Sequence, residues 1–191
     1  MKVFHVWALS VLLLPLLALG CAENAPPTEK EDSKEARIKA NLDKLDPKDR
    51  ELAEEQKYCA VETKKRLGSM GKPFKLTIED ETVFLCCEGC EKAAKRDPKK
   101  TLTRVEELKV QTALAQLDPA DRKLAEQQKF CATDAESRLG SMGPPVKLMI
   151  KDQPVFLCCA GCRKAALKDP DKTLAAVNKL KADNAPAAKE Q

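Results

Sequence analysis

Histidine is almost missing from this 191-residue chain: the only one, His5, and the only tryptophan, Trp7, both lie in an apolar N-terminal stretch. If that stretch is a cleaved leader, the remaining chain has no histidine at all. That excludes a Ser-His-Asp or Cys-His catalytic apparatus, His-ligated zinc and a C-x-x-C-H haem attachment. We therefore expect a binding protein rather than an enzyme. Aromatic residues make up only 4% of the chain, and beyond the leader they are Tyr58, Phe74, Phe84, Phe130 and Phe156. An excess of one charge is also lacking. The 34 Lys and Arg and 30 Asp and Glu give a net charge of +4, and the two signs are interspersed. No basic stripe is available for nucleic acid.

The apolar run from Val3 to Gly20 follows Met1-Lys2, contains no acidic or basic residue other than His5, and ends Leu17-Ala18-Leu19-Gly20-Cys21. It reads as a signal peptide, residues 1–20, because Pro15 interrupts it and no basic stop-transfer flank follows. Its end resembles the lipobox of bacterial lipoproteins, which implies diacylglycerol on Cys21 as the new N-terminus. Cysteine counting agrees, since Cys21 is the odd one among nine and the other eight divide into two sets of four. Residues 22–34 are rich in Pro, Glu, Asp and Lys, so 21–44 is expected to be a lipidated cysteine and a flexible tether.

An internal duplication organises the rest. Residues 45–109 superimpose on 117–181 at a constant offset of 72, with 41 identities in 65 positions and no gap. Asp46-Pro47 and Asp118-Pro119 have the N-cap and N1 chemistry of helix starts, with helical sequence running to Lys57 and Lys129. A loop Gly-Ser-Met-Gly follows at 68–71 and 140–143. Next come β-rich runs at 74–78 and 82–85 around the turn Glu79-Asp80-Glu81, and at 146–150 and 155–157 around Lys151-Asp152-Gln153. Each pair is a hairpin signal. Short helices are expected at 88–96 and 160–168, each ended by Asp-Pro, then longer ones from Pro98 and Pro170. The first of these can run through a connector, 110–116, into the second copy. Residues 182–191 read as a disordered tail.

Each copy carries one cysteine after its first helix and three where the hairpin gives way to the next helix: Cys59 with Cys86, Cys87 and Cys90, and Cys131 with Cys158, Cys159 and Cys162. A helix N-terminus near such a cluster favours thiolate. Zn(II) takes four such ligands in a tetrahedron, while thiolate and thioether sulfur also select Cu(I). So small a unit with few large apolar side chains needs a staple, and a metal or disulfides would serve. Met70 and Met142 are candidates for a thioether ligand or for capping the small core. Phe84 and Phe156 are candidate core residues.

The stretch Phe84-Leu85-Cys86-Cys87-Glu88-Gly89-Cys90, followed by Asp97-Pro98, resembles the end of YHS and TRASH domains. These are small treble-clef-like modules associated with copper and other heavy metals. The resemblance implies that Cys86 and Cys90, and Cys158 and Cys162, are ligands, with Cys59 and Cys131 in place of the first cysteine of an N-terminal knuckle. The knuckle's second position is Glu62 or Asp134 here, so the fourth ligand is left among Glu62/Asp134, Cys87/Cys159 or none.

The expected architecture is α+β: two tandem treble-clef-like modules, each of helix, hairpin and helix. The expected function is binding of Zn(II) or Cu(I), up to one ion per repeat, for storage, sequestration or transfer at the cell envelope. The protein would be held to a bacterial membrane by its lipid, facing the periplasm or exterior, with an unidentified metal-transport protein as a possible partner. Two other readings compete: a disulfide-stapled interaction module, and a thiol oxidoreductase using Cys87-x-x-Cys90 and Cys159-x-x-Cys162. The latter lacks the βαβ pattern of a thioredoxin-like fold.

Overall fold

The computed structural model describes residues 29–185. Among them are seven helices and three two-stranded antiparallel sheets, a mixed α+β fold. The expected signal peptide, the lipidated Cys21, residues 22–28 and residues 186–191 lie outside the described residues. No described helix is long and apolar enough to cross a membrane.

The repeats share an order of elements, except that the second has a short strand pair where the first has a single bridge between Tyr58 and Arg66. In the first, helix α2 (Pro47–Gln56) leads through the cysteine-bearing loop to the hairpin β1 (Phe74–Ile78) and β2 (Glu81–Leu85). A 3₁₀ turn (Glu88–Cys90), α3 (Glu91–Arg96) and α4 (Pro98–Leu114) follow. The second repeats this with α5 (Pro119–Gln128) and the short strands β3 (Phe130–Cys131) and β4 (Asp134–Arg138). The hairpin β5 (Val146–Ile150) and β6 (Gln153–Leu157), α6 (Arg163–Lys168) and α7 (Pro170–Asp183) complete it. Proline opens both α2 and α5 as expected, but the side chains of Asp46 and Asp118 make no cap bond. Asp97 and Asp169 do cap, each accepting from the backbone N–H three residues on.

Both hairpin turns are tighter than the sequence suggested. Ile78 pairs with Glu81 and Ile150 with Gln153, so only two residues turn the chain. Those residues have φ of 48° and 67° in the first hairpin and 47° and 60° in the second, as a type I′ turn requires. Glu81 and Gln153, expected in the turns, are the first residues of β2 and β6.

Two apolar cores form, one per repeat. Val83, Phe84, Leu85 and Leu67 fill the first, and Val155, Phe156, Leu157 and Leu139 the second. Phe84 and Phe156 are core residues, as expected. A buried and a half-buried carboxylate fasten helix to hairpin: Lys75 Nζ lies 2.7 Å from Asp49 and Lys147 Nζ lies 2.6 Å from Asp121.

The expected flexible tether is corrected over its second half. Residues Glu29–Leu42 form a helix, α1, whose Ile38 and Leu42, with Leu45 beyond, are buried in the first core. Their i, i+4, i+7 spacing is one stripe of an otherwise charged helix. The loop at Gly68 lies directly against it: a Cβ there would sit 2.8 Å from the Ile38 carbonyl oxygen, and φ is +83°. Asn41 Nδ2 donates to the Gly68 carbonyl at 2.9 Å. The connector expected at 110–116 is likewise part of a core. Val110 and Leu114, on the C-terminal half of α4, occupy the places of Ile38 and Leu42, and Gly140 approaches the Val110 carbonyl as Gly68 approaches Ile38. The N-terminal half of α4 closes the first core through Leu102 and Val105. One helix therefore ends one unit and begins the next. Ala182 and Asp183, assigned to the tail, finish α7.

If α1 belongs to the first core, Ile38→Ala in the full-length protein should cost about 2–4 kcal/mol in urea unfolding, a cavity effect. A loss below about 0.5 kcal/mol, as for an exposed tether position, would contradict the packing.

Candidate metal centre

Gln56 and Gln128, the last residues of α2 and α5, are fully buried. The Gln56 amide donates to the Tyr58 carbonyl at 2.7 Å and the Phe84 carbonyl at 2.6 Å, while its oxygen accepts from the Phe84 N–H at 2.9 Å. Gln128 does the same with Phe130 and Phe156. The helix end is thus tied to the strand end, and each segment delivers a cysteine: Cys59 lies three residues after Gln56, and Cys86 two after Phe84. Lys57 and Lys129 turn the chain between helix and cysteine in the left-handed region, with φ of 63° and 64°. Cys59 N–H then donates to the Lys65 carbonyl and Ala60 N–H to that of Phe84. After Cys86 the 3₁₀ turn returns the chain, Cys90 N–H donating to the Cys87 carbonyl at 3.3 Å.

The result is two cysteine triads, Cys59, Cys86 and Cys90, and Cys131, Cys158 and Cys162. Within each, the three sulfurs lie within 4.8 Å of one another, close enough to hold a metal ion. Cys86 and Cys90 Sγ are 3.8 Å apart, and Cys158 and Cys162 Sγ 3.6 Å. Thiolates 2.3 Å from a shared tetrahedral ion would be about 3.8 Å apart. All eight described cysteines are free, with no disulfide between them.

Cys87 and Cys159 lie outside the triads. Both are half-buried, and Cys159 Sγ is 4.0 Å from Cys162 Sγ. Neither Glu62 nor Asp134 joins a triad. The exposed Asp134 carboxylate is committed to its own loop, accepting from Glu136 N–H at 3.1 Å and Ser137 Oγ at 2.6 Å. Glu62 contributes its backbone instead: its N–H and that of Val61 each donate to Cys59 Sγ at 3.4 Å. Met70 and Met142 do not cap the cores, being 60% and 64% exposed. Met70 stands on the rim of a cleft of about 720 Å³ that Cys86 and Cys87 also line.

The expected thiolate stabilisation at the helix start falls on only part of the cluster. Burial pushes the Cys86 and Cys158 thiols up, and the neighbouring thiols push the same way. Burial likewise raises Cys90 to about 11. Cys159 is held below its ordinary value by the N–H groups of Gly161 and Cys162. Burial works against ionisation of Cys131 too, but hydrogen bonds from the Thr133 hydroxyl and from the backbone outweigh it and leave the thiol lowered. Thr133 Oγ1 is 3.4 Å from that sulfur; the matching residue of the first repeat, Val61, has no hydroxyl.

Sequence reasoning missed Gln56, Gln128 and Thr133. The glutamines were visible only as residues shared by both copies, since nothing in a helical sequence marks which polar side chain will be buried.

Gln56→Leu leaves the Phe84 N–H and the Tyr58 carbonyl without the partner the amide gave them, and the Phe84 carbonyl with only the Ala60 N–H, and should cost about 3 kcal/mol in urea unfolding; an unchanged midpoint would remove the clamp. The metal-free reduced protein should also lose stability as pH rises from about 9 to about 11. In that interval Cys90 ionises in the unfolded chain, near 9.0, but keeps its proton when folded. A flat profile in urea titrations across the interval would contradict this burial. No protein-family model, curated protein or solved structure matches the chain.

Proposed function

We propose that each repeat binds one thiophilic metal ion, Zn(II) or Cu(I), and that the protein stores, sequesters or passes on these ions at the cell envelope. The observation that carries this reading is the recurrence, 72 residues apart, of a triad of unbridged thiols within 4.8 Å. The resemblance of the Cys86 to Cys90 stretch to YHS and TRASH domains points the same way. A donor set of three soft thiolates selects Cu(I); tetrahedral Zn(II) adds a fourth ligand, for which Cys159, beside Cys162, is the nearest thiol in the second repeat. Binding displaces protons from thiols that burial keeps protonated, so apparent affinity falls as pH falls. In this reading a lipid on Cys21 holds the protein to a bacterial membrane on its outer side, and the protein binds rather than catalyses.

Native mass spectrometry and elemental analysis of the full-length protein, purified reduced, test the reading. We expect two ions per chain, about one in Cys86→Ser and none when Cys158→Ser is added, with circular dichroism verifying that the variants remain folded. A metal-free mass eight hydrogens light after oxidising export would make the cysteines disulfide staples instead.

A further inference from the structure

The two triads sit in nearly identical sequence, yet their surroundings differ. In the first repeat the Arg104 guanidinium reaches from α4 over the loop that carries Cys59 and donates to the Val61 carbonyl at 3.4 Å. Its counterpart on α7 is Ala176, whose methyl group spans nothing. There a groove of about 710 Å³ runs between α7 and the Cys131 loop, with Thr133 and Cys131, which has no exposed surface, on its wall and Ala176 along its side. The third ligand differs in the same sense: Cys90 is buried and Cys162 half-buried. Each repeat leaves its vicinal cysteine, Cys87 or Cys159, partly accessible, so the first site is not sealed. The second has that approach and the groove as well.

The groove is lined by as many acids as bases, Asp134, Asp169 and Asp183 against Lys168, Lys172 and Lys179, so it carries no net charge and sets no preference for the charge of what enters.

We propose that the two metal sites are kinetically distinct: the second exchanges its ion with small thiol ligands entering the α7 groove, while Arg104 closes that route in the first, which retains its ion. This rests on the metal-binding reading above. Exchange proceeds by substitution at the ion, an incoming thiolate replacing a cysteine thiolate, with no change of oxidation state. The wall over the buried Cys131 must therefore open to admit the incoming sulfur, and it opens more readily where no arginine ties the loop to the helix.

The test loads the full-length protein with Zn(II) and follows its removal by excess mercaptosuccinate, a dianionic thiol, using native mass spectrometry of desalted time points. We expect two phases of one ion each, the faster by about tenfold, equivalent to about 1.4 kcal/mol in barrier. Ala176→Arg should bring the fast phase towards the slow one, and Arg104→Ala should speed the slow phase. Loss of both ions in one phase, or unchanged phases in both variants, would overturn the inference while leaving the metal reading intact. Failure to load two ions would overturn both. Because Ala176→Arg and Arg104→Ala act on different repeats, misfolding of one leaves the other decisive.

Discussion

Everything in each repeat hangs on one buried amide. Gln56 and Gln128 sit at the ends of their helices with no access to water, and each bonds both the N–H and the C=O of the phenylalanine two residues before the first clustered cysteine. A primary amide in an apolar core must satisfy its donors and acceptor together or incur the desolvation cost of whichever is left unpaired, so the arrangement tolerates little drift. By joining helix end to strand end, it places Cys59 beside Cys86 and Cys131 beside Cys158, although 27 residues of chain separate the members of each pair. The third thiol needs no further tertiary contact, since a single 3₁₀ turn returns Cys90 and Cys162 to the second.

The duplication is structural as well as sequential, and its seam is a helix. The first half of α4 does for the first core what α7 does for the second, and its latter half does for the second core what α1 does for the first. A unit so built cannot be cut cleanly at a linker. It also lets the copies diverge where packing is indifferent. Val61 against Thr133 changes the hydrogen bonding of the first thiol of the triad, and Arg104 against Ala176 changes what lies over it, while the buried residues hold the same backbone in both.

Much of this was legible in the chain. Helices beginning at proline, hairpins with alternating apolar residues, and cysteines at strand ends are local signals, and α2, α5, the two main hairpins and both cysteine clusters fall where those signals put them. The errors also have local causes. Helix α1 reads as tether because only Ile38 and Leu42 among its charges, with Leu45 just beyond, mark a buried face, and three apolar residues at such spacing are a weak pattern without the loop that covers them. The turn lengths were misjudged because Glu and Lys seldom adopt positive φ, so nothing in Glu79-Asp80 or Lys151-Asp152 announces a two-residue turn. Met70 and Met142 read as core or ligand because their side chains suit either role, and the loop holds both in solvent.

The sequence by itself determined that there are two copies of one unit, that each mixes helix with a hairpin, and that each carries four thiols and no histidine. These are matters of composition, period and spacing along the chain. Only the tertiary structure decided which three of the four thiols converge, that neither Glu62 nor Asp134 joins them, and that the surroundings of the two triads differ. The reason is physical: a sulfur's neighbours and its exposure depend on packing between segments distant in sequence, on a buried amide and on one arginine reaching across a loop. No spacing rule along the chain encodes those contacts.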